Sequence, residues 1–248
     1  MIASLGMYDM PHLQHAHDRL WSGIRAALGY GPEKLTRGTD LWAHWQAPEL
    51  LLSQTCGLPY RARLHDHVTL VGTPDYALPD CPPGHYFSYM VRAKDDPRDL
   101  TALARSGKMA FNDGLSQSGW AAPVAHLATH GLVPRQVMQT DGHVNSLTAV
   151  LEGRADYAAI DALTFDLWAE AAPQQAALID RFDRTVPSPA LPFITAPSRD
   201  PEPLFDAVAS AITGLSASDR AKLRLRGIVK IPSADYLALP VPPEPPAF

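Results

Sequence analysis

The stretch from Lys108 to Pro123, KMAFNDGLSQSGWAAP, constrains the fold of this chain more than any other part of it. Met109, Ala110 and Phe111 read as a short buried strand, although so short an apolar run carries no periodicity of its own. Asn112, Asp113 and Gly114 read as a turn. Ser116 or Ser118 then opens a helix in which Trp120, Val124 and Leu127 share one face. A strand that feeds a serine-rich turn into a helix start is a common anion site. The first amides of a helix have no intrahelical acceptor and stand at the positive end of the dipole. Ser116 and Ser118 add two hydroxyl donors, and Gly119 lets a ligand approach the backbone. Serine is also a preferred N-cap, so a plain capping role is equally open on local grounds.

The same alternation runs through the rest of the chain. Ile2 to Met7 read as a strand, followed by a helix from about His12 to Leu28 that ends before Gly29 and Gly31. Asp40 to Gln46 read as a short helix. Glu49 to Ser53 have the continuous apolar look of a buried parallel strand, and Val68 to Val71 form another, ending at Gly72 and Thr73. Asp75 to His85 is a Pro- and Gly-rich connection, and Tyr86 to Arg92 is a strand carrying Ser88. A second series follows, with strands before Asn112, over Gln136 to Gln139 and over Tyr157 to Ile160. Its helices lie near Arg98 to Ala104, after Ser116, over Asn145 to Leu151 and after Asp161. Ala177 to Arg184 lead back to a strand over Phe193 to Thr195 and two helices near Glu202 to Ile212 and Ala217 to Arg226. This order indicates an α/β fold of two lobes, residues 1–80 with 190–248 and residues 81–189.

Composition excludes several function classes. The formal charge is −5 and no basic cluster occurs, which argues against nucleic acid as a partner. No apolar run reaches the roughly 18 residues of a transmembrane segment. The first residues lack a charged n-region and a long apolar core, so no signal peptide is expected in the chain as it stands, and either a cytosolic site or a removed leader accounts for that. His12, His15 and His17 are close in sequence, but histidines on such a helix are normally solvated, and neither a metal nor another cofactor is expected. Cys56 and Cys81 make no disulfide framework. Cys56 reads as a small buried residue, with a nucleophilic role left open by its place near a helix start.

In open α/β sheets ligands sit beyond the carboxyl ends of the strands. The first lobe offers Tyr8, Asp9, Ser53, Gln54, Thr55 and Thr73 there, and the second offers Asn112, Ser116, Ser118, Thr140, His143 and Asp161. Hydroxyls dominate, with no Lys or Arg. Such a set suits a small anionic ligand held by neutral donors and helix amides, and no nucleotide-binding P-loop occurs. Asp161 and His143 each also fit an ordinary capping role.

The run Ser116-Gln117-Ser118-Gly119-Trp120-Ala121-Ala122-Pro123 resembles the S-x-S-G-x-x-x-P element of the PhnD-like phosphate and phosphonate substrate-binding proteins of ABC transporters. Gly142-His143, Ala149-Val150, Gly153-Arg154-Ala155-Asp156 and Ala159-Ile160-Asp161 resemble later segments of that family. The resemblance implies a type 2 periplasmic-binding-protein fold, each lobe a mixed sheet flanked by helices with the ligand cleft between them. It implies a solute-binding protein for a phosphonate or phosphate ester that works with an ABC permease in the periplasm, without catalysis. Ser116, Gln117, Ser118 and Gly119 would hold the oxyanion with His143 beside them. Asp161 would face the rest of the ligand, and Tyr8, Ser53, Gln54, Thr55 and Ser88 would complete the cleft. Pro123 would break or kink the first helical turn, since its ring opposes the carbonyl of Gly119. A cytosolic enzyme acting on a small carboxylate or phosphate, and an orphan ligand sensor, are the alternatives, because fold alone does not decide function.

Overall fold

The computed structural model describes residues 1–38 and 40–246. The chain divides into two compact units and passes between them at His85–Tyr86, Ser188–Pro189 and Leu239–Pro240.

The first unit is built on a five-stranded sheet. Its strands lie in the order Ile2–Ser4, Leu50–Gln54, Phe193–Thr195, Thr69–Asp75 and Gly227–Val229. Ile2–Ser4 runs parallel to Leu50–Gln54, while Phe193–Thr195 is antiparallel to both neighbours. Leu50, Leu51 and Leu52 are fully buried, as expected for a strand covered on both faces. The helix Gln14–Leu28 packs against Glu202–Gly214. The approach is close because small residues meet, and a β-carbon added to Gly23 would stand 3.2 Å from Ala211 Cβ. Gly29, at φ 76°, ends the first of these helices, and its amide donates to the Arg25 carbonyl at 2.9 Å.

The second unit carries another five-stranded mixed sheet, in the order Gln136–Gln139, Lys108–Phe111, Tyr157–Asp161, Ser88–Ala93 and Ile179–Arg184. Lys108–Phe111 runs parallel to both of its neighbours, and Tyr157–Asp161 pairs antiparallel with Ser88–Ala93 so that Ser88 stands opposite Asp161. The helices Leu100–Ser106, Ala122–Thr129, His143–Leu151 and Ala162–Ala171 flank it.

Several elements differ from the sequence-based expectations. The first strand stops at Ser4 rather than Met7, and Thr36 N donates to the Ala3 carbonyl at 2.7 Å along its outer edge. The strand expected to end near Thr73 continues to Asp75, so Thr73 lies inside the sheet, with its hydroxyl 2.6 Å from the buried Tyr236 hydroxyl. Ile179–Arg184 is an edge strand. Its sequence IDRFDR carries four charges, a pattern that protects an edge but hides it from a search for apolar alternation. Gly227–Val229 and the helix Ser233–Leu237 are too short to announce themselves. The former is anchored where Arg226 Nε donates to Asp75 at 2.7 Å and Arg226 N donates to the Asp75 carbonyl at 2.8 Å. Asn145 is not the start of its helix, which begins at His143.

Candidate functional site

The candidate site of the second unit grows out of the strand Lys108–Phe111. Met109, Ala110 and Phe111 are fully buried, so the strand end is fixed. Asp113 then shapes the turn, with its carboxylate accepting from Leu115 N at 2.6 Å and its carbonyl from Ser116 N at 3.0 Å. Ser116 caps the helical turn after it, and its Oγ accepts from Gly119 N at 3.0 Å. Gln117–Ala121 is one turn of π-helix, closed by Ala121 N to the Ser116 carbonyl at 3.0 Å, and Ala122–Thr129 continues it as α-helix. Pro123 lacks the N–H that an α-turn would direct at Gly119, so the broken first turn expected from the sequence takes the wider form.

Five buried polar side chains and the half-buried His143 meet around this turn. Ser118 Oγ is 2.8 Å from His143 Nε2. Ser88 Oγ donates to the Ser118 carbonyl at 2.9 Å, and Ser88 N donates to Thr185 Oγ1 at 2.9 Å. Ser116 Oγ lies 3.5 Å from Ser118 Oγ. Asp161, opposite Ser88 in the ladder, caps the helix Ala162–Ala171 by accepting from Thr164 N at 2.8 Å. Gly119 has no room for a side chain. A β-carbon there would collide with Asn112 Oδ1 and stand 2.9 Å from Asn112 Cγ and 3.3 Å from His143 Cε1. Thr140 ties the neighbouring loop through Ser146 Oγ at 2.7 Å and the Phe111 carbonyl at 3.1 Å.

The proton equilibrium of His143 is displaced. Burial pushes its imidazole down to about 4, and the Ala159 carbonyl acts weakly the other way. Part of the residue's surface is open, but Nδ1 is sealed from solvent without an aligned hydrogen-bond partner, so burial governs the ring. The ring is neutral at ordinary pH. The cluster therefore offers hydroxyls, helix amides and one imidazole rather than fixed positive charge.

The first unit places its candidates differently. Ser53 and Gln54 end the strand Leu50–Gln54, and Thr55 N donates to the Pro192 carbonyl at 3.1 Å. Ser53 Oγ and Thr55 Oγ1 are buried without a hydrogen-bond partner. Gln54 is held by the Tyr76 hydroxyl at 2.9 Å and the Leu191 carbonyl at 3.0 Å, and Tyr8 packs edge-on against Tyr76 with centroids 5.3 Å apart. Tyr76 was not among the expected residues, since nothing local in its Pro-rich connection marks it. Thr185 was missed for the same reason. His17 is not solvated: it is buried 3.1 Å from Asp9, which Arg37 also pairs at 2.5 Å, while His12 and His15 are exposed. Cys56 and Cys81 are not bridged to one another.

A family model described as "ABC transporter, phosphonate, periplasmic substrate-binding protein" matches residues 53–236. The chain belongs to this family. The phosphonate-binding family supplies the substrate-binding components of transporters, which are not enzymes. A search of curated proteins returns no match. Among solved structures, PhnD1 from Prochlorococcus marinus in complex with methylphosphonate is similar at TM-score 0.75 and 15% identity, over 95% of this chain and 93% of that one. A binding-protein component of an ABC phosphonate transporter from Pseudomonas aeruginosa is similar at TM-score 0.70 and 14% identity, over 95% and 82%. A Xanthomonas citri protein solved with ATP bound is similar at TM-score 0.66 and 12% identity, over 91% of each chain. At these identities the likeness concerns the fold, which is the type 2 periplasmic-binding-protein fold implied by the sequence resemblance. Among the described residues no helix is long and apolar enough to cross a membrane.

Proposed function

We propose that this member of the phosphonate-binding family captures a small phosphorus oxyanion, a phosphonate or phosphate ester, on the turn from Ser116 to Gly119, and passes it to an ABC permease from the periplasm. The observation that carries the reading is the Ser118–His143 hydrogen bond, at 2.8 Å, beside a glycine that no side chain can replace. A neutral imidazole orients the Ser118 hydroxyl without adding charge. The amides that open the helix supply further donors at its positive end. Donors of this kind match the several oxygens of a tetrahedral anion. Gln117 belongs to the same turn, and Ser88 backs it through the Ser118 carbonyl.

Asp161 is assigned to the ligand's non-anionic end. It is buried, it ends a central strand, and one of its oxygens is engaged with Thr164 N as a cap. Tyr8, Ser53, Gln54 and Thr55 form the first unit's own set of polar groups for a ligand. Titration calorimetry with methylphosphonate, inorganic phosphate and 2-aminoethylphosphonate tests the reading. Binding of at least one of these is expected, and Asp161→Asn should weaken the amine-bearing ligand far more than phosphate. Absence of heat with all three ligands would sink the assignment, and equal losses for both would remove the role given to Asp161.

A further inference from the structure

The segment Pro240 to Pro246, PVPPEPP, lies beyond the residues matched by the family model and groups with the second unit. Two contacts tie it to the turn that carries Ser116 and Ser118. Trp120 Nε1 donates to the Pro243 carbonyl at 2.8 Å. At the start of the turn, a β-carbon added to Gly114 would stand 3.0 Å from Pro245 Cδ and 3.1 Å from Pro245 Cγ, so that proline ring lies against a bare glycine.

Trp120 is where the segment and the site meet. Its side chain is only 3% exposed, and a buried indole N–H requires an acceptor, which Pro243 supplies. Its ring packs on Phe111, the last residue of the strand that leads into the turn, at 5.1 Å between centroids. Its backbone amide donates to the Ser116 carbonyl at 3.2 Å, and Ser116 Oγ in turn holds Gly119 N. A single π-turn ahead of a proline is short of regular intrahelical bonds and so depends on side-chain anchors of this kind. The restricted φ of proline lowers the entropy lost when the segment is ordered, so a few contacts hold it in place.

We propose that the proline segment positions the anion-holding turn, with Trp120 as the positioning residue between them; the ligand role of that turn rests on the phosphonate reading. The test uses the full chain with two variants. Trp120→Phe keeps an aromatic ring against Phe111, though a smaller one, and removes the donor. Gly114→Val displaces Pro245 and leaves the indole in place, so it decides the matter should Trp120→Phe fail to fold. Hydrogen exchange without ligand reads the turn directly. Both variants should speed exchange of amides 117–121 by about three- to tenfold, the equivalent of one lost hydrogen bond, and leave the strand Tyr157–Asp161 unchanged. Methylphosphonate binding should weaken by a similar factor. Unchanged exchange at 117–121 overturns the proposal, as does faster exchange with unaltered affinity. A wild-type chain that binds neither methylphosphonate nor phosphate overturns the phosphonate reading instead, and leaves the exchange result to judge the segment by itself.

Discussion

The two units treat the hydroxyls at their candidate sites in opposite ways. In the second, Ser118 is bonded to His143, Ser88 to the Ser118 carbonyl and Ser116 to Gly119 N, so each hydroxyl is oriented by a neighbour. In the first, Ser53 Oγ and Thr55 Oγ1 are sealed without a hydrogen-bond partner, and the adjacent Gln54 is committed to Tyr76 and Leu191. A buried polar group left unpaired costs about 1–3 kcal/mol, whereas a satisfied network rigidifies its surroundings. The contrast is between a preorganised donor set and one whose hydroxyls are stored unsatisfied. Preorganisation is incomplete even in the better-wired unit, since Asn112 Oδ1 is also sealed without a partner.

The harshest way to break this contrast is Gly119→Val. Its side chain has to displace Asn112 or His143, at a cost of about 1–3 kcal/mol in stability for overpacking. Anion binding should be lost with it. Denaturant unfolding and calorimetry check both, and a variant that binds normally would mean that the turn does not touch the ligand. Ser118→Ala should raise the dissociation constant by about tenfold to a hundredfold, from the loss of a charge-assisted bond of about 1.5–3 kcal/mol. Its melting temperature should fall only modestly, because the cap is Ser116 and Ser118 loses its bond to the part-open His143 ring. A large drop in melting temperature with intact affinity would reverse those two roles. Ser116→Ala, by comparison, should cost about 1 kcal/mol of stability through the lost cap, visible in thermal melting.

Acid sharpens the comparison further, because His143 belongs to the second unit alone. Its folded value near 4 lies below the ordinary histidine value near 6.5. Between those values the unfolded chain takes up a proton that the folded chain does not, so stability should fall as pH drops from about 6.5 to about 4. Urea unfolding across that range checks it, and His143→Gln should flatten the slope; an unaltered slope would assign the acid sensitivity elsewhere. The smallest effect is expected in the first unit. Thr55→Val removes a hydroxyl that has no partner while keeping its shape, so stability in the absence of ligand should hold or rise slightly. Clear destabilisation in a melting experiment would mean that the hydroxyl has a partner after all, and the contrast with Ser116 would vanish.

Much of this was legible in the sequence. The strand at Phe193–Thr195, the helix capped by Asp40 and the broken turn ahead of Pro123 follow from short-range rules: buried apolar runs, side-chain caps and a missing N–H. The strand Ile179–Arg184 was not legible, because an edge strand with a charged face carries no apolar alternation. Thr73 was misplaced because no local signal separates a strand end from a strand interior when the residue that covers it, Tyr236, is 163 positions away.

By itself, then, the sequence determined the alternation of strands and helices, the serine-rich turn and the family to which that turn pointed, since each depends on residues within a few positions of one another. Tertiary structure alone decided that Ser116 caps while Ser118 meets His143, that Ser88 backs their turn, and that Asn112 closes the space behind Gly119. Most of these are matters of packing between elements far apart in the chain, and for Ser88, on its strand, a register shift of one residue would turn the side chain to the opposite face.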